Sequence, residues 1–437
     1  MKIERSNMLA WDSPIAMRAL RWREMLILTY RAQFANYLQV FAGTGVRLAL
    51  QAVYFFILAN TLSLHDMGVF ASTSAIGIMI GCFSGFGFSS FAFRAAAARR
   101  SSLGGYLAVF YGCWLISLPL CLAGSLPMFY FLFTTSISLT SFLLIIVVEA
   151  GTWRLIEMVH QVNNGLGRYA AASLVIGIGT LLRTFAAIGF AWTGSYNVET
   201  WASIYLGANL LATAISVIFF QPRVHLRWRT PLFVGRLRDA LMFSISYFAF
   251  VSQNEIDKLV MLSLADERTV GIYAISSRII DFTAVPIRTF YVLYSRKLIS
   301  EGKTCGRFGR SLGVELVIAL ISTLAFVSLL AVLTLWPNIL GRNVNSAMEL
   351  FAVLLAVPAF KNLLEYHSEL FFAYQQMTIR AVLSMALVVV KAAALALLLV
   401  CFSGVAQWGV WLNTVYIGLY ALSALVVYRS VFRRRFQ

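Results

Sequence analysis

Twelve long apolar runs, separated by short polar breaks, constrain the fold of this chain more than any other feature. Each run is long enough to cross the ~30 Å hydrocarbon core of a bilayer as an α-helix, which takes about 20 residues. With 60% hydrophobic and 12% charged residues, the chain is also too apolar for a soluble surface. We therefore predict an all-α integral membrane protein with about twelve transmembrane helices. The runs fall at about 32–62, 67–93, 103–133, 137–163, 169–193, 197–220, 240–264, 269–295, 311–336, 346–374, 379–402 and 405–428.

An arginine-rich break between residues 221 and 239 divides these runs into two sets of six. Little of the 437-residue chain is then left for a soluble catalytic domain. The pattern predicts five segments. They are a basic cytoplasmic N-terminal segment, 1–31; an N-lobe of helices 1–6, 32–220; a basic cytoplasmic inter-lobe loop, 221–239; a C-lobe of helices 7–12, 240–428; and a basic cytoplasmic tail, 429–437.

The basic residues predict the orientation of the helices. Of the 35 Lys and Arg residues, 25 fall in segments on one side of the predicted membrane, and only Arg268 and Arg342 fall on the other. Because basic residues near helix ends are retained in the cytoplasm, we predict that both termini are cytoplasmic. This basic face would contact the anionic headgroups of the lipid bilayer, so the net charge of +17 needs no nucleic-acid partner.

Charged residues inside the runs are the candidate site residues. A charge at the bilayer centre costs about 2.5–3.5 kcal/mol, so such side chains are expected to face a partner or a watery cavity. Helices 1, 7 and 8 carry Arg47, Lys258, Arg278 and Arg288 at different depths. We interpret these four cations as the lining of a cavity for an anionic substrate such as a phosphate. The alternatives are intramembrane ion pairs, including Arg278 with Asp281 at i, i+3, and snorkelling side chains.

A second group of charges has two open interpretations. On helix 4, Glu149, Arg154 and Glu157 lie on roughly one face, and the acids Asp257 and Asp281 accompany the cations of helices 7 and 8. Carboxylates in membrane helices relay protons or bind coupling ions in carriers. They also form ion pairs that hold helices together. We favour an ion pair for Arg154 and Glu157, and leave a proton or sodium coupling site as the alternative.

Helix 10 carries a further candidate ion pair, since Lys361 and Glu365 are spaced at i, i+4. Pro358 is expected to kink that helix.

We find no HExxH, GxSxG or paired DxD motif, and no Cys or His spacing typical of a zinc site. The sequence therefore predicts neither an enzyme nor a metal or other cofactor.

Three stretches, taken in order, resemble one family of transporters. They are LANTLSLHDMGVFASTSAIGIMIGCFSGFGFSSFAFR, from the end of helix 1 through helix 2; QVNNGLGRYAAASLV, at the corner between helices 4 and 5; and ISYFAFVSQNEIDKLVMLSLADERTVGIYAISSRI, spanning helices 7 and 8. The last is similar to the family's Asp-Lys pair (Asp257, Lys258) and its Val-Gly-x-Tyr helix start (Val270, Gly271, Tyr273). The chain thus resembles the Wzx-type lipid-linked oligosaccharide flippases of the polysaccharide transport family, within the multidrug/oligosaccharidyl-lipid/polysaccharide (MOP) flippase superfamily.

The resemblance implies a fold and a function. It implies two six-helix lobes forming a V around a central cavity, with alternating access to the two sides of a bacterial inner (plasma) membrane. The substrate would be an undecaprenyl-diphosphate-linked oligosaccharide, flipped to the periplasmic leaflet for O-antigen, capsule or exopolysaccharide synthesis. Ion antiport, with a proton or sodium ion, is one implied driving force. Implied partners are a polysaccharide polymerase and a chain-length regulator.

Two other function classes remain as alternatives. A multidrug exporter of the same superfamily would move amphipathic cations, and a cationic cavity disfavours it. A membrane-embedded polysaccharide polymerase or acyltransferase is the other alternative. A polymerase would need a sizeable outer loop with basic residues, whereas the outer loops here are short and nearly uncharged. An acyltransferase would need a buried His on a re-entrant segment, for which the sequence offers no good candidate.

Overall fold

The structure is a computed structural model that describes residues 48–98, 100–284, 287, 308–374, 376–402 and 404–432. Within these residues the chain is helical with no β-strand. The first six helical segments form the N-lobe, and π-helical turns interrupt α4 and end α6. They are α1, Leu48–Thr61; α2, Leu64–Gly81 continued by Phe88–Ala98; α3, Leu103–Leu132; α4, Leu139–Ile146, Val147–Thr152 and Trp153–Gly165; α5, Tyr169–Trp192; and α6, Val198–Ile215 with Ser216–Phe220.

The next six helical segments form the C-lobe, in which α10 is broken into three pieces. They are α7, Thr230–Leu264; α8, Glu267–Thr283; α9, Phe308–Leu335; α10, Arg342–Ser346, Met348–Val353 and Val357–Ala373; α11, Met377–Cys401; and α12, Val405–Val427. The described residues thus contain the predicted twelve segments in two six-helix lobes, and the predicted fold class is confirmed.

Six of the described helices are long and apolar enough to cross a bilayer, namely α3, α5, α6, α9, α11 and α12. The two halves of α2 meet that criterion together, with a bend of 49° between them. Several helices below the criterion, among them α4, α7 and α8, carry the buried charges described below. The chain is therefore a multi-pass membrane protein, and its buried charges lie both on these less apolar helices and on apolar ones, as with Glu315 of α9 and Lys391 of α11.

Four helices begin with a side-chain cap at the predicted outer face, which is the face where α1 ends and α2 begins. The caps are Ser63 on α2, Ser138 on α4, Asn197 on α6 and Asp266 on α8, and each side-chain oxygen accepts a hydrogen bond from the backbone N–H three residues later. Such caps satisfy amide groups that the helix itself leaves unpaired. The polar breaks that contain these four residues therefore supply the side chains that cap the following helices.

The bend in α2 lies at three residues with positive φ, Gly85 (70°), Phe86 (48°) and Gly87 (78°). Glycine adopts this left-handed region without a steric penalty. A Cβ on Gly87 would lie 2.1 Å from the carbonyl oxygen of Ala240 on α7. The bend therefore lets the inner half of α2 pack directly against the C-lobe.

The two lobes also meet through glycines at the predicted outer face. A Cβ on Gly68 of α2 would lie 1.8 Å from the carbonyl oxygen of Glu267, at the start of α8. In return, a Cβ on Gly271 of α8 would lie 2.0 Å from the carbonyl oxygen of Leu64. The backbones of α2 and α8 thus touch in a way that any larger residue would prevent.

Two predicted boundaries differ from the structure. α7 begins at Thr230, so residues 230–239 of the predicted inter-lobe loop are helical. Pro231 stands in the first turn, where proline favours helix initiation, and the arginines that follow lengthen the helix beyond its apolar part. α10 breaks at residues 354–356, just before Pro358, where the Asn413 side chain of α12 accepts from the N–H of Ala356 and donates to the carbonyl of Val353.

Candidate functional site

A central cavity of about 460 Å³ lies between helices of both lobes. Its charged lining comes from α4 and α5 on the N-lobe side and from α7 and α8 on the C-lobe side. The four cationic and two acidic side chains of this lining are Arg154, Arg183, Lys258 and Arg278, with Glu149 and Glu157. Two of the four predicted cavity cations, Lys258 and Arg278, therefore lie in its wall. The other two, Arg47 and Arg288, lie outside the described residues.

Arg278 on α8 is half-buried in the cavity wall. Among the described residues, no carboxylate lies within 4 Å of its guanidinium, and it has no hydrogen-bond partner. The alternative interpretation, an ion pair with Asp281, does not hold, because Asp281 faces α10 and its Oδ1 accepts a hydrogen bond from Lys361 Nζ at 2.7 Å. Lys361 of α10 is therefore the hydrogen-bonded cation of Asp281. The positive charge of Arg278 is left facing the cavity.

Two adjacent residues of α7, Asp257 and Lys258, point in different directions from that helix. Lys258 lies in the cavity wall, and its ammonium group donates to the carboxylate of Glu255, one turn earlier on the same helix. Asp257 instead faces the interior of the C-lobe. Its Oδ2 lies 2.7 Å from Lys391 Nζ of α11 and accepts a hydrogen bond from the hydroxyl of Tyr273 on α8. Asp257 therefore forms a buried ion pair inside the C-lobe and does not line the cavity.

Arg154 forms the ion pair that the sequence predicts. Its Nη1 lies 2.7 Å from Oε2 of Glu157, one turn later on α4. Its Nη2 donates to the carbonyl of Ile78 on α2 at 2.9 Å, and its guanidinium lies 5.4 Å from the ring centroid of Tyr247 on α7. This one side chain thus connects α4 with α2 and with the C-lobe, and most of its donors are occupied.

Glu149 lies in the π-helical turn of α4 and is 5% exposed. Its Oε1 accepts hydrogen bonds from the hydroxyls of Ser74 on α2 and Tyr205 on α6, both at 2.8 Å. Within the described part of the chain, its Oε2 has no donor, and no cation lies within 4 Å of the carboxylate. Glu149 is therefore a carboxyl group in the cavity wall that is hydrogen-bonded but forms no ion pair.

Arg183 is a site residue to which sequence analysis assigns no role. Its Nε and Nη2 both donate to Oδ1 of Asn209 on α6, at 2.9 and 2.7 Å. The guanidinium also lies 4.4 Å from the ring centroid of Trp153. The signal in the sequence is an Arg in the middle of one apolar run and an Asn in the middle of the next, but sequence spacing alone does not pair them.

A second buried cluster in the C-lobe is also absent from the predicted sites. Glu315 on α9 accepts hydrogen bonds from the hydroxyls of Tyr420 and Tyr428, both at 2.6 Å, and lies 3.2 Å from Nε2 of His367. The opposite ring nitrogen of His367 contacts the Ser423 hydroxyl at 2.9 Å. The cluster joins α9, α10 and α12 away from the central cavity. Across the described chain, no three His, Cys, Asp or Glu side chains converge as metal ligands.

Several solved structures share this fold. One is the inward-facing conformation of a multidrug resistance MATE family transporter of the MOP superfamily, with a TM-score of 0.63 and 15% identity over 89% of this chain and 97% of that one. Another is a ligand complex of the MATE multidrug transporter DinF-BH, with a TM-score of 0.63 and 14% identity over 91% and 95% of the two chains. A third is a MOP superfamily transporter from Pyrococcus furiosus, described by the reverse polarity of its binding pocket, with a TM-score of 0.57, 13% identity and coverage of 91% and 94%.

No protein-family model matches the chain, and no curated protein sequence is similar to it. The structural similarities, all at 15% identity or lower, define the fold and not the substrate. The chain is therefore a multi-pass membrane protein with the two-lobed helical fold of the MOP superfamily transporters.

Proposed function

We propose that this protein is a transporter that flips undecaprenyl-diphosphate-linked oligosaccharides from the inner to the outer leaflet of a bacterial plasma membrane. The observation that carries the proposal is the guanidinium of Arg278, which lies in the central cavity with no hydrogen-bond or ion-pair partner among the described residues. The resemblance of helices 7 and 8 to the lipid-linked oligosaccharide flippases supports it independently, because Lys258 and Arg278 lie within that stretch. The shared fold supports a transport function.

The charge balance of the cavity supports an anionic substrate. Among the described residues, four cationic and two acidic side chains line the cavity, and a third acid, Glu255, is paired with Lys258, so one positive charge is left in excess. A charge held at membrane depth without a partner costs several kcal/mol. A diphosphate supplies the missing counter-charge, and guanidinium groups bind phosphate oxygens through two parallel hydrogen bonds. The cavity would thus lower the barrier that hydrocarbon presents to the diphosphate, while the polyprenyl chain stays in the lipid.

The arrangement of the lobes supports alternating access. In this structure they touch at the predicted outer face, through Gly68 and Gly271. Rocking of two bundles about a central site is a common design of secondary transporters. Transport would then require this outer contact to open.

Export of amphipathic cations is the second candidate function, and one observation favours it. Glu149 is a carboxylate in the cavity wall, and no cation lies within 4 Å of it among the described residues. A cationic drug would need such a carboxylate as its counter-charge. Two of the structural neighbours are described as multidrug transporters. Another neighbour, with its pocket of reverse polarity, supports the view that this fold accommodates pockets of different charge. A membrane polymerase or acyltransferase has no comparable observation in its favour.

A flipping assay separates these two candidates. The full chain is reconstituted in liposomes with undecaprenyl-diphospho-N-acetylglucosamine that carries a nitrobenzoxadiazole on the sugar. External dithionite then bleaches the outer leaflet at once and the inner leaflet only as the lipid is flipped. We expect Arg278→Ala to slow the second phase about 10-fold or more, since a charge-assisted hydrogen bond contributes about 1.5–3 kcal/mol and 1.4 kcal/mol corresponds to a factor of ten.

Two matched variants serve as controls. Arg278→Lys keeps the charge and should retain most of the rate, and Arg236→Gln changes an exposed arginine at the inner end of α7 and should retain all of it. Cells that express the protein are tested in parallel for export of the cationic dye ethidium. Normal flipping by Arg278→Ala would refute the cavity assignment. Ethidium export by a protein that flips no lipid would establish the multidrug function instead.

A further inference from the structure

The two walls of the central cavity differ in chemistry. The C-lobe wall, formed by α7 and α8, presents Lys258 and Arg278. Beside the arginines Arg154 and Arg183, the N-lobe wall, to which α1, α4, α5 and α6 contribute, presents acids, an amide and aromatic rings. These N-lobe residues are Gln51, Tyr54, Glu149, Trp153, Glu157 and Tyr205. A ligand that touches both walls would need an anionic part and a separate hydroxyl-rich part.

The arginines of the N-lobe wall are already occupied by the protein. Arg183 directs two of its nitrogens to Asn209 and lies against Trp153. Arg154 is 7% exposed and is bonded to Glu157 and to the Ile78 carbonyl. Arg154 has no free pair of donors for a phosphate, whereas Arg183 keeps only the donors at its Nη1 end and has its ring-facing side against Trp153. Arg278 on the C-lobe side, which has no hydrogen-bond partner among the described residues, is therefore the guanidinium of the cavity most available to an anion.

Glu149 offers the N-lobe wall a free acceptor. Because Ser74 and Tyr205 both donate to its Oε1, the carboxylate of this cavity-lining residue is held in a fixed position, and its Oε2 has no donor among the described residues. A carboxylate oxygen accepts hydroxyl hydrogen bonds that are roughly twice as strong as neutral ones. The residue also stands on a π-helical turn, an irregularity that frequently occurs at functional sites.

Two aromatic rings flank this acceptor. Trp153 and Tyr54 are half-buried and line the same wall. Aromatic faces pack against apolar C–H surface, and the phenol of Tyr54 adds a hydroxyl with no hydrogen-bond partner among the described residues. A sugar ring has C–H groups on its faces and hydroxyl groups around its edge. The aromatic rings of this wall can therefore pack against the C–H faces of a sugar, and its carboxylate can accept hydrogen bonds from the sugar hydroxyls.

We propose that the N-lobe wall binds the first sugar of the lipid-linked glycan while Arg278 and Lys258 bind the diphosphate. We propose further that this sugar is an uncharged hexose or N-acetylhexosamine, because a uronic acid would place its carboxylate beside Glu149 and Glu157. This inference rests on the proposed function, since it assigns the two parts of the same substrate to the two walls. It makes Glu149 a specificity-determining residue.

Binding measurements on the purified full chain in lipid nanodiscs test the assignment. Three probes are titrated by calorimetry: farnesyl diphosphate, farnesyl-diphospho-N-acetylglucosamine and farnesyl-diphospho-glucuronic acid. We expect the neutral sugar to tighten binding about 5- to 10-fold over farnesyl diphosphate, which is a typical gain for one or two hydrogen bonds. The uronic acid probe should bind more weakly than the neutral one.

Three variants separate the two walls. In Glu149→Gln, the ratio of the affinities for the neutral and the uronic acid probe should fall at least threefold. The affinity for farnesyl diphosphate should stay unchanged. Tyr54→Leu removes an aromatic face without changing any charge, and should remove part of the gain from both sugars. Arg278→Ala should weaken all three probes by a similar factor. Melting temperatures confirm that each variant is folded.

The outcomes distinguish this inference from the proposed function. If none of the probes binds, or if Arg278→Ala leaves all three affinities unchanged, the proposed function fails and the sugar subsite fails with it. If farnesyl diphosphate binds through Arg278 but the sugar adds nothing, only the subsite is overturned. The same holds if neither Glu149→Gln nor Tyr54→Leu changes the discrimination between the probes.

Discussion

Asn60 at the outer end of α1 and Asn343 at the start of α10 are hydrogen-bonded to each other's helices across the two lobes. The amide nitrogen of Asn343 donates to the carbonyls of Ala59 and Leu62, at 2.9 and 2.7 Å. In return, the amide nitrogen of Asn60 donates to the carbonyl of Leu340 at 2.6 Å, and its Oδ1 accepts from the backbone N–H of Asn343. All of these bonds must break if the lobes separate at the predicted outer face.

The first prediction follows from this contact. Asn343→Ala removes two of the hydrogen bonds, each of which contributes about 0.5–1.5 kcal/mol, so the population of the open outer end should rise about 5- to 150-fold. A cysteine introduced at Met67, in the cavity wall, reports the opening by its reaction with a membrane-impermeant thiol reagent. Asn345→Ala in the same short helix is the control, because that exposed side chain makes no inter-lobe bond. Labelling of Asn343→Ala at the parent rate would show that the contact does not hold the outer end closed.

The apolar runs predicted the number, order and lobes of the helices. Unpaired backbone groups are costly in hydrocarbon, so a long apolar run that crosses a bilayer forms a helix. Side-chain caps such as Ser63 and Asp266 stand at helix starts where the hydropathy changes. The extra helical turns of α7 before residue 240 were missed because hydropathy detects the membrane-embedded part of a helix and not its polar extension.

The partners of the buried charges could not be predicted in the same way. An i, i+3 spacing shows that Arg278 and Asp281 are neighbours on α8, but the neighbouring helices decide which way each side chain points. Asp281 pairs with Lys361 of α10, and Arg278 lies in the cavity wall. Only Arg154 with Glu157 formed as predicted, because both face the same pocket between α4 and α7. Contacts over long sequence separations, such as Arg183 with Asn209, have no local signal.

The second prediction concerns pH and the contact between Ser136 and Glu267 at the predicted outer face. The Ser136 hydroxyl donates to the Glu267 carboxylate, and this bond is the main cause that holds the pKa of Glu267 below its usual range. His65 also lowers this pKa, whereas burial and Asp266 raise it. Because the folded-state pKa is depressed, the stabilisation is present above the usual pKa and is lost as the pH falls through the lowered value.

Ser136→Ala should therefore lower the melting temperature at pH 7 by a small amount, equivalent to about 0.5–1 kcal/mol for one partly exposed hydrogen bond. The difference from the parent should shrink as the pH falls through the lowered pKa of Glu267. Thermal unfolding in detergent between pH 7 and pH 3 measures both effects. A difference that stays constant over this range would mean that ionisation of Glu267 does not contribute to the contact.

The third prediction concerns the buried pair of Asp257 and Lys391, which are 2% and 3% exposed. Asp257→Asn should destabilise the protein by about 3–5 kcal/mol, because it leaves the ammonium group of Lys391 buried without a counter-charge. The double variant Asp257→Leu/Lys391→Met removes both charges, and should recover most of the lost stability since apolar replacements of buried ion pairs are often neutral. Melting temperature measures stability, and Lys391→Met alone is the matched control.

The flipping rate of the double variant then distinguishes two roles for this pair. A purely structural pair predicts that transport recovers together with stability. Recovery of stability without transport would instead favour a role in ion coupling, because neither leucine nor methionine binds a proton or a sodium ion. Failure of the double variant to recover any stability would contradict the ion-pair account of this part of the C-lobe.

The fourth prediction concerns Arg154 and Glu157, whose ion pair lies in the cavity wall. Arg154→Glu and Glu157→Arg each place two like charges about one turn apart, so each single variant should lose stability and transport. The double reversal restores opposite charges, yet it moves the guanidinium away from the Ile78 carbonyl and the Tyr247 ring. We therefore expect the double variant to recover only part of the melting temperature, measured against Arg154→Lys, which keeps the charge in place. Full recovery would show that the ion pair alone stabilises this wall, and that the contacts of Arg154 with α2 and α7 contribute nothing measurable.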